Sequence, residues 1–373
     1  MNKIIVYFPY PFRKQQSGSQ VRPVKILEGF KQFGKNNNIE IICVSGESRE
    51  RQEKINEIYR KIDPKSILFC YMENSTLPFW LTDFDHIPRR PLLDIKFFRY
   101  LKKHQVPFGI FYRDIYWKFD DEYPLRGIKK VIMQNIYRIE KKVYERYASH
   151  FFLPSLQMNK YTKFDPSRTY SLPPGGEVHS LSKTKKNNGD LLNVIYVGGI
   201  SERYGLRTML ETLKIINRNI TRANLLLVCR KNEYDEYKTI IEQYQQYEWL
   251  KIYHAFGEDL ISIYQQADVG IIPIQKTIYN DFAVPVKLFE YLSFGLPIIA
   301  TNCDAQAEII SNNRLGIVTK PDSHSLAEGL KVLMDSGNLD YYRKNVQEYL
   351  MNKGLWIHRV EKVFNILTMN KQP

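Results

Sequence analysis

The chain has 373 residues, which at roughly 100–200 residues per domain predicts two domains, each with its own core. Hydrophobic residues make up 43% and charged residues 25%, a composition that excludes a disordered or collagen-like chain. The formal charge of +14 favours an anionic partner: nucleic acid, an anionic membrane or a phosphorylated ligand.

At the N-terminus, Met-Asn-Lys is followed only by Ile4 to Phe8 before Pro9, without the apolar stretch and cleavage site of a signal peptide. The longest apolar-rich run, Tyr291 to Cys303, is interrupted by Gly295 and Pro297 and is too short to span a bilayer. These features predict a cytoplasmic protein. Cys43, Cys70, Cys229 and Cys303 lie far apart with neither zinc nor disulfide spacing, and three of them end or interrupt apolar runs, so buried reduced thiols are expected.

Short β-type runs alternate with segments of helical period along the whole chain. In the first half they are KIIVYF, IEIICV, SILFCY and PFGIFY; in the second, LNVIYVGG, NLLLVC, WLKIYH, VGIIPI and PIIAT. This is the pattern of parallel sheets with crossover helices, and it predicts an α/β protein of two Rossmann-like domains. The first would span 1–175. A linker rich in Pro, Gly, Ser, Lys and Asn would follow at 176–190, then a second domain at 191–345 and a C-terminal helix over 346–373.

After the first strand, PYPFRKQQSGSQVRP carries Gly18 between serines, with Pro23 suited to the first turn of a helix. A glycine here lets backbone approach a phosphate at a helix N-terminus. Between His86 and His150, 15 Lys and Arg stand against 7 Asp and Glu, an excess of eight positive charges in one stretch. Within it, Arg126 to Tyr147 sets Ile128, Ile132, Ile136, Ile139, Val143 and Tyr147 at steps of three or four, among seven basic residues. Such a helix either packs its apolar face on the core and leaves a solvated basic face, or lies on anionic lipid.

The second half opens with strand, glycine turn and helix: NVIYVGG then ISERYGLRTMLETL, where Gly198, Gly199 and Gly205 permit tight turns and Arg203 puts a cation beside the helix start. The GxGxxG spacing of a dinucleotide fold is missing. Arg230 ends the next strand, at the carboxyl edge that faces the ligand crevice of a parallel sheet. In IYNDFAVPVKLFEYLSFGLPIIATNCDAQAEII, Pro285 fits the start of a helix carrying Lys287 and Glu290. That places a helix N-terminus towards phosphates and a carboxylate one turn in, able to accept from sugar hydroxyls.

At these residues the chain resembles the GT-B-type nucleotide-sugar glycosyltransferases, and among them the retaining enzymes of family 4, strongly from Asn193 to Ile310 and more loosely before. The resemblance implies two Rossmann-like domains with an interdomain cleft, and a C-terminal helix, including Trp356, that crosses back to the first domain. It implies transfer of a sugar, a hexose by class, from a nucleoside diphosphate sugar to a hydroxyl acceptor with retention. The acceptor expected is a lipid-linked glycan intermediate of cell-surface polysaccharide synthesis, met by a protein that is cytoplasmic or peripheral at the inner face of the membrane. A glutamate in the position of Glu290 binds the nucleotide ribose, and the loop from Asn280 to Ala283 faces the donor sugar. The donor set expected is therefore Gly18, Gly199, Arg203, Tyr204, Arg230, Asp281, Phe282, Ala283, Lys287, Leu288 and Glu290.

The chain also departs from the family. Gly199 and Tyr204 stand where an Arg and a Lys often meet the diphosphate, and Phe282 stands where a glutamate is usual. After PFGIFY, where a His is common, come Arg113 and Asp114, the candidate catalytic pair. Asp83, Phe84 and Asp85 form a D-x-D, but in a polar loop rather than after a strand. No metal and no cofactor besides the donor substrate is expected, since Lys, Arg and helix N-termini can offset diphosphate charge. The competing readings are a nucleotide-sugar epimerase of the same architecture and a basic nucleic-acid-binding protein; no RNP, zinc-finger or homeodomain signature supports the latter.

Overall fold

The computed structural model describes residues 1–12, 18–179 and 191–369, with the side chains of Gly18 and Ser19 left aside. The chain divides into two compact units: Met1–Pro174 together with Trp356–Pro373, and Gly175–Leu355.

The first unit is built on a six-stranded sheet of β1 (Lys3–Tyr7), β2 (Glu40–Val44), β3 (Ile67–Glu73), β4 (Phe108–Phe111), β5 (His150–Leu153) and β6 (Thr169–Ser171), in the order β2-β1-β3-β4-β5-β6. Every pairing is parallel. The inner strands are covered on both faces, which is why β1, β3 and β4 read as continuous apolar runs. Four longer helices serve as crossovers: α1 (Gly18–Asn37), α2 (Ser48–Lys61), α3 (Leu93–Lys103) and α4 (Gly127–Tyr147).

The C-terminal helix Trp356–Thr368 belongs to this unit, packing on α1 and behind β3 and β4. Trp356, Val360, Val363, Ile366 and Leu367 join Ile26, Phe30 and Phe69 in one core. Gly29 makes the approach possible, since a Cβ there would stand 3.3 Å from the Trp356 carbonyl oxygen. The return starts later than 346. Residues 346–349 finish the helix Ser336–Tyr349, a π-turn occupies Leu350–Gly354, and only from Trp356 does the chain rejoin the first unit.

The second unit repeats the design with β7 (Leu192–Val197), β8 (Ala223–Val228), β9 (Leu250–Tyr253), β10 (Val269–Ile272), β11 (Ile298–Thr301) and β12 (Gly316–Thr319), in the order β12-β11-β10-β7-β8-β9. All pairs are again parallel. Its helices bury Leu206, Met209, Leu210 and Leu213 on one face of the sheet and Leu288, Phe289 and Leu292 on the other.

Three local expectations change. Pro23 lies in the second turn of α1 rather than the first, because the helix already begins at Gly18. Residues 176–179 of the expected linker pack on the second unit: the Gly176 N–H donates to the Gly354 carbonyl at 2.8 Å, the Glu177 N–H donates to Ser293 Oγ at 2.9 Å, and His179 stacks on Phe294. Residues 180–190, and 13–17 before α1, lie outside the described residues. Third, α4 buries Tyr137, Glu140 and Tyr144, not the isoleucine stripe, so Ile128, Ile132 and Ile139 remain exposed.

Candidate donor and acceptor sites

In the second unit the candidate residues gather at the carboxyl ends of β7, β8 and β10, where an open parallel sheet presents its loops to a ligand. The chain leaves β7 at Gly198, whose φ of +128° suits glycine, and a Cβ there would stand 3.2 Å from Lys287 Nζ. Gly205, at φ +76°, lies so close under Pro273 that a Cβ would stand 1.9 Å from its carbonyl oxygen, and the helix Leu206–Ile216 starts from it.

Lys287 enters this turn from the first turn of the helix Val286–Ser293, which Pro285 caps. Its ammonium donates to Tyr196 Oη at 2.9 Å and sits 4.0 Å from the centre of the Tyr196 ring and 5.4 Å from that of Tyr204. The Tyr196 hydroxyl in turn donates to the Gly199 carbonyl at 2.6 Å. Burial lowers the Lys287 pKa to about 8, opposed by the carboxylates of Glu290 and Glu233. One turn further, burial raises the Glu290 carboxyl above its ordinary value, while Lys287 and Tyr264 favour its anion. Lysine and glutamate thus lie at the mouth of one helix, with opposite charges and both poorly solvated.

Glu233 joins the group. It accepts from Arg230 Nη1 at 3.1 Å and lies beside Gly199, where a Cβ would meet its Oε1 at 3.4 Å. The sequence reading did not single it out; its signal was a carboxylate three residues after Arg230 in the first turn of a helix.

The other expected donor residues separate. Arg203 Nη2 donates to Asn280 Oδ1 at 3.2 Å, and its guanidinium lies 5.0 Å from the centre of the Tyr279 ring, which ties it to the loop at 277–283. Asp281 is paired with Lys276 at 2.8 Å, and Lys276 also holds Asp304 at 2.7 Å, so this carboxylate fastens the loop. Phe282 is buried against Tyr279. Leu288 is wholly buried in the core, so its side chain is a packing element and not a donor contact. Ala283 caps the short helix Ile278–Phe282, its N–H bonded to the Tyr279 carbonyl at 3.2 Å. Gly18 is the first residue of α1, at the carboxyl side of β1.

In the first unit a second polar group forms at the ends of β1, β3 and β4. Glu73 is fully buried; its Oε1 accepts from Arg22 Nε at 3.0 Å and from Tyr71 Oη at 2.8 Å. Arg113 Nη2 lies 3.4 Å from Glu73 Oε2 and donates to Tyr10 Oη at 2.7 Å, while the Arg113 N–H donates to Asn74 Oδ1 at 2.7 Å. Arg22 stacks 3.6 Å from the centre of the Phe111 ring. Sequence reasoning missed Arg22 and Glu73, although a glutamate closing an otherwise apolar strand was a visible anomaly. Asp114 is used differently from expectation, since its Oδ1 accepts from the N–H groups of Ile115 and Tyr116 at 2.6 and 2.9 Å and so shapes the turn after β4.

Asp83 of the D-x-D caps α2, accepting from the Ser48 N–H at 2.6 Å and from Ser48 Oγ at 2.5 Å, and Asp85 pairs with Arg89. No three His, Cys, Asp or Glu side chains cluster to hold a metal among the described residues. A recess of about 740 Å³ near the end of β2, lined by Phe12, Ser45, Glu50, Glu53, Asn56 and neighbours, contains none of the candidate residues. No helix of the described residues is long and apolar enough to cross a membrane.

Residues 179–349 match the family described as glycosyl transferases group 1. That match covers most of the second unit, and the chain has the GT-B fold of two Rossmann-like parallel-sheet units. No curated protein matches the sequence. Among solved structures the chain is similar to Anabaena Alr3699/HepE in complex with UDP, at 13% identity and a TM-score of 0.66, covering 99% of this chain and 100% of that one. It is also similar to WaaG, a glycosyltransferase involved in lipopolysaccharide biosynthesis, at 16% identity and a TM-score of 0.60, covering 98% and 99%. A third is an alpha,alpha-trehalose-phosphate synthase (UDP-forming) from Burkholderia vietnamiensis, at 10% identity and a TM-score of 0.61, covering 98% of both chains.

Proposed function

We propose that the chain transfers a hexose from UDP-hexose, with retention in the manner of family 4, to a hydroxyl of a lipid-linked glycan intermediate in cell-surface polysaccharide synthesis. The observation that carries the donor half is Lys287 directed at the glycine turn after β7, with Glu290 one helical turn away. Lys287 and the first turn of its helix would meet the diphosphate, and Glu290 would accept from the ribose hydroxyls. Gly199, Tyr204 and Arg230 would line the same turn. Arg203 would act through the 277–283 loop on the sugar. UDP is favoured because UDP is bound by HepE and formed by the trehalose-phosphate synthase; a polysaccharide role is favoured by the likeness to WaaG.

As the departing diphosphate gains charge, a preorganised cation stabilises it more than it stabilises the ground state. The acceptor half rests on the first unit, where Arg113 and Glu73 would orient the acceptor at the ends of β3 and β4. The reading includes no metal, because Asp83 and Asp85 are engaged by α2 and Arg89 while Lys287 supplies the charge. Activity retained in EDTA is expected; loss reversed by Mn²⁺ or Mg²⁺ would overturn that part.

The deciding experiment is a thermal-shift titration of the full chain with UDP, GDP and ADP. UDP at about 100 times its Kd should stabilise the protein by ~2.7 kcal/mol. No shift with UDP, or a larger shift with GDP or ADP, would reject the assignment. NMR of the product's anomeric proton would then test retention.

A further inference from the structure

At the carboxyl end of the first unit's sheet, Arg22 presents a buried charged edge that the chain leaves without acceptors. Arg22 lies in the second turn of α1, and its side chain is 5% exposed. Its Nε donates to Glu73 Oε1 at 3.0 Å, but Nη1 and Nη2, which carry the remaining N–H groups, are buried with no hydrogen-bond partner among the described residues. The guanidinium lies over the Phe111 ring, 3.6 Å from its centre, and 5.7 Å from that of Trp356. Aromatic contact thus occupies the face of the cation and leaves hydrogen bonding to its edge. Buried charges are otherwise paired, so an edge of this kind calls for acceptors from a ligand.

The neighbouring groups converge on the same place. Glu73 closes β3, Phe111 closes β4 and Tyr10 follows β1, and these three strands are adjacent in the sheet. Arg113 Nη2 lies 3.4 Å from Glu73 Oε2 and donates to Tyr10 Oη at 2.7 Å. The Tyr10 hydroxyl donates to nothing among the described residues, so its own proton is available. Two guanidiniums against one carboxylate leave a single positive charge in excess, while Asp114 turns its carboxylate to the N–H groups of Ile115 and Tyr116. That surplus matches a singly charged oxyanion better than the near-dianion of a phosphomonoester. The planar fork of Arg22 suits a group with two oxygens in one plane.

We infer that the acceptor sugar carries a singly charged oxyanion, a carboxylate or a phosphodiester, bound by Arg22 Nη1 and Nη2 and by the Tyr10 hydroxyl. The inference rests on the reading of this sheet end as the acceptor side and narrows it. Glu73 and Arg113 hold Arg22 and Tyr10 in place, and the anion fixes the sugar's register. A neutral glycan offering the same hydroxyl is rejected, because it leaves the edge of Arg22 buried and unpaired.

The test is saturation-transfer NMR of D-glucuronate, dimethyl phosphate and D-glucose with the full chain, with and without saturating UDP. Saturable binding of glucuronate, its displacement by dimethyl phosphate and no displacement by glucose are expected. Displacement at a lower concentration than that of glucuronate assigns the oxyanion to a phosphodiester, at a higher one to a uronate, and either order supports the site. Arg22→Met should weaken glucuronate binding by roughly ten- to a hundredfold, the span of a charge-assisted hydrogen bond. Arg22→Lys keeps a charge beside Glu73 without the fork, and Tyr10→Phe removes one donor; both should weaken binding if Arg22→Met does not fold, with urea midpoints reporting the first unit. Glucose binding as tightly as glucuronate, or Arg22→Lys and Tyr10→Phe both binding glucuronate like wild type, would overturn the inference. So would loss of UDP binding in folded Arg22→Lys, since the anion at Arg22 would then be the donor's diphosphate. Absent glucuronate and dimethyl phosphate binding with UDP binding intact rejects the oxyanion site alone; absent UDP binding with glucuronate binding intact rejects the donor assignment alone.

Discussion

Lys287 donates to the Tyr196 hydroxyl at 2.9 Å while its ammonium rests 4.0 Å from the centre of the same ring, so one tyrosine supplies both a lone pair and a π face to a poorly hydrated cation. Burial, the larger cause, lowers its pKa to about 8. An incoming diphosphate would favour the protonated form. Below pH 8 the cation is already present; above it, each binding event must take up a proton. UDP affinity should therefore be level up to about pH 8 and fall roughly tenfold per pH unit beyond. Titration calorimetry in buffers of different ionisation enthalpy should show proton uptake near pH 8, and Lys287→Met should remove both the uptake and the slope. A flat profile through pH 10 in wild type would mean that Lys287 does not meet the diphosphate.

Glu290 follows Lys287 by one helical turn, and its carboxyl is raised by burial. Ribose hydroxyls would donate to it and make the anion the preferred form. Glu290→Ala should weaken UDP binding by roughly 1.5–3 kcal/mol, the worth of a hydrogen bond to a charged group. Uridine-free diphosphate should bind the variant and wild type alike. Equal loss for both ligands would assign Glu290 to positioning Lys287 rather than to the ribose.

In the first unit, Glu73 is shared by two guanidiniums, with Arg22 at 3.0 Å and Arg113 at 3.4 Å. Removing the carboxylate leaves two buried like charges facing each other. Glu73→Gln should cost about 3–5 kcal/mol in urea unfolding, and adding Arg22→Met should restore part of it. A single-variant loss below about 1 kcal/mol would show that the cluster is solvated.

Much of the architecture was legible because parallel strands buried on both faces leave near-continuous apolar runs. The nine runs singled out all became strands. β5, β6 and β12 were not singled out; TYS and GIVT look like loops until flanking strands supply their partners. The glycine turn after β7 was readable for a local reason, since Gly198, Gly205 and Pro285 answer backbone needs that sequence shows. Glu233, Arg22 and Glu73 were not, because their importance comes from contacts between segments far apart in the chain. Periodicity misled at α4 for a related reason. A period reports that a helix is two-sided, and nothing local says which side meets the core.

That inner side of α4 carries the last prediction. Glu140 is 1% exposed; its Oε1 accepts from the Phe79 N–H at 2.8 Å and from the Tyr144 hydroxyl at 2.9 Å, tying α4 to the turn after β3. Burial outweighs these two bonds and raises its pKa from 4.5 to about 8. The folded state therefore holds a proton that the unfolded chain releases above about pH 4.5. Stability contributed by this group is fully present below that pH, declines as pH rises, and is lost once the folded carboxyl ionises near pH 8. Glu140→Gln keeps an acceptor for Phe79 and Tyr144 and cannot ionise. Its stability relative to wild type should be near zero or slightly negative at pH 4, then rise by about 1.4 kcal/mol per pH unit and level off near pH 8. Urea unfolding of both proteins across pH 4 to 9 measures this difference directly, with the other titrating groups common to the two. A difference independent of pH would show that the Glu140 carboxyl is already ionised in the folded protein at pH 5, and that its two bonds outweigh its burial.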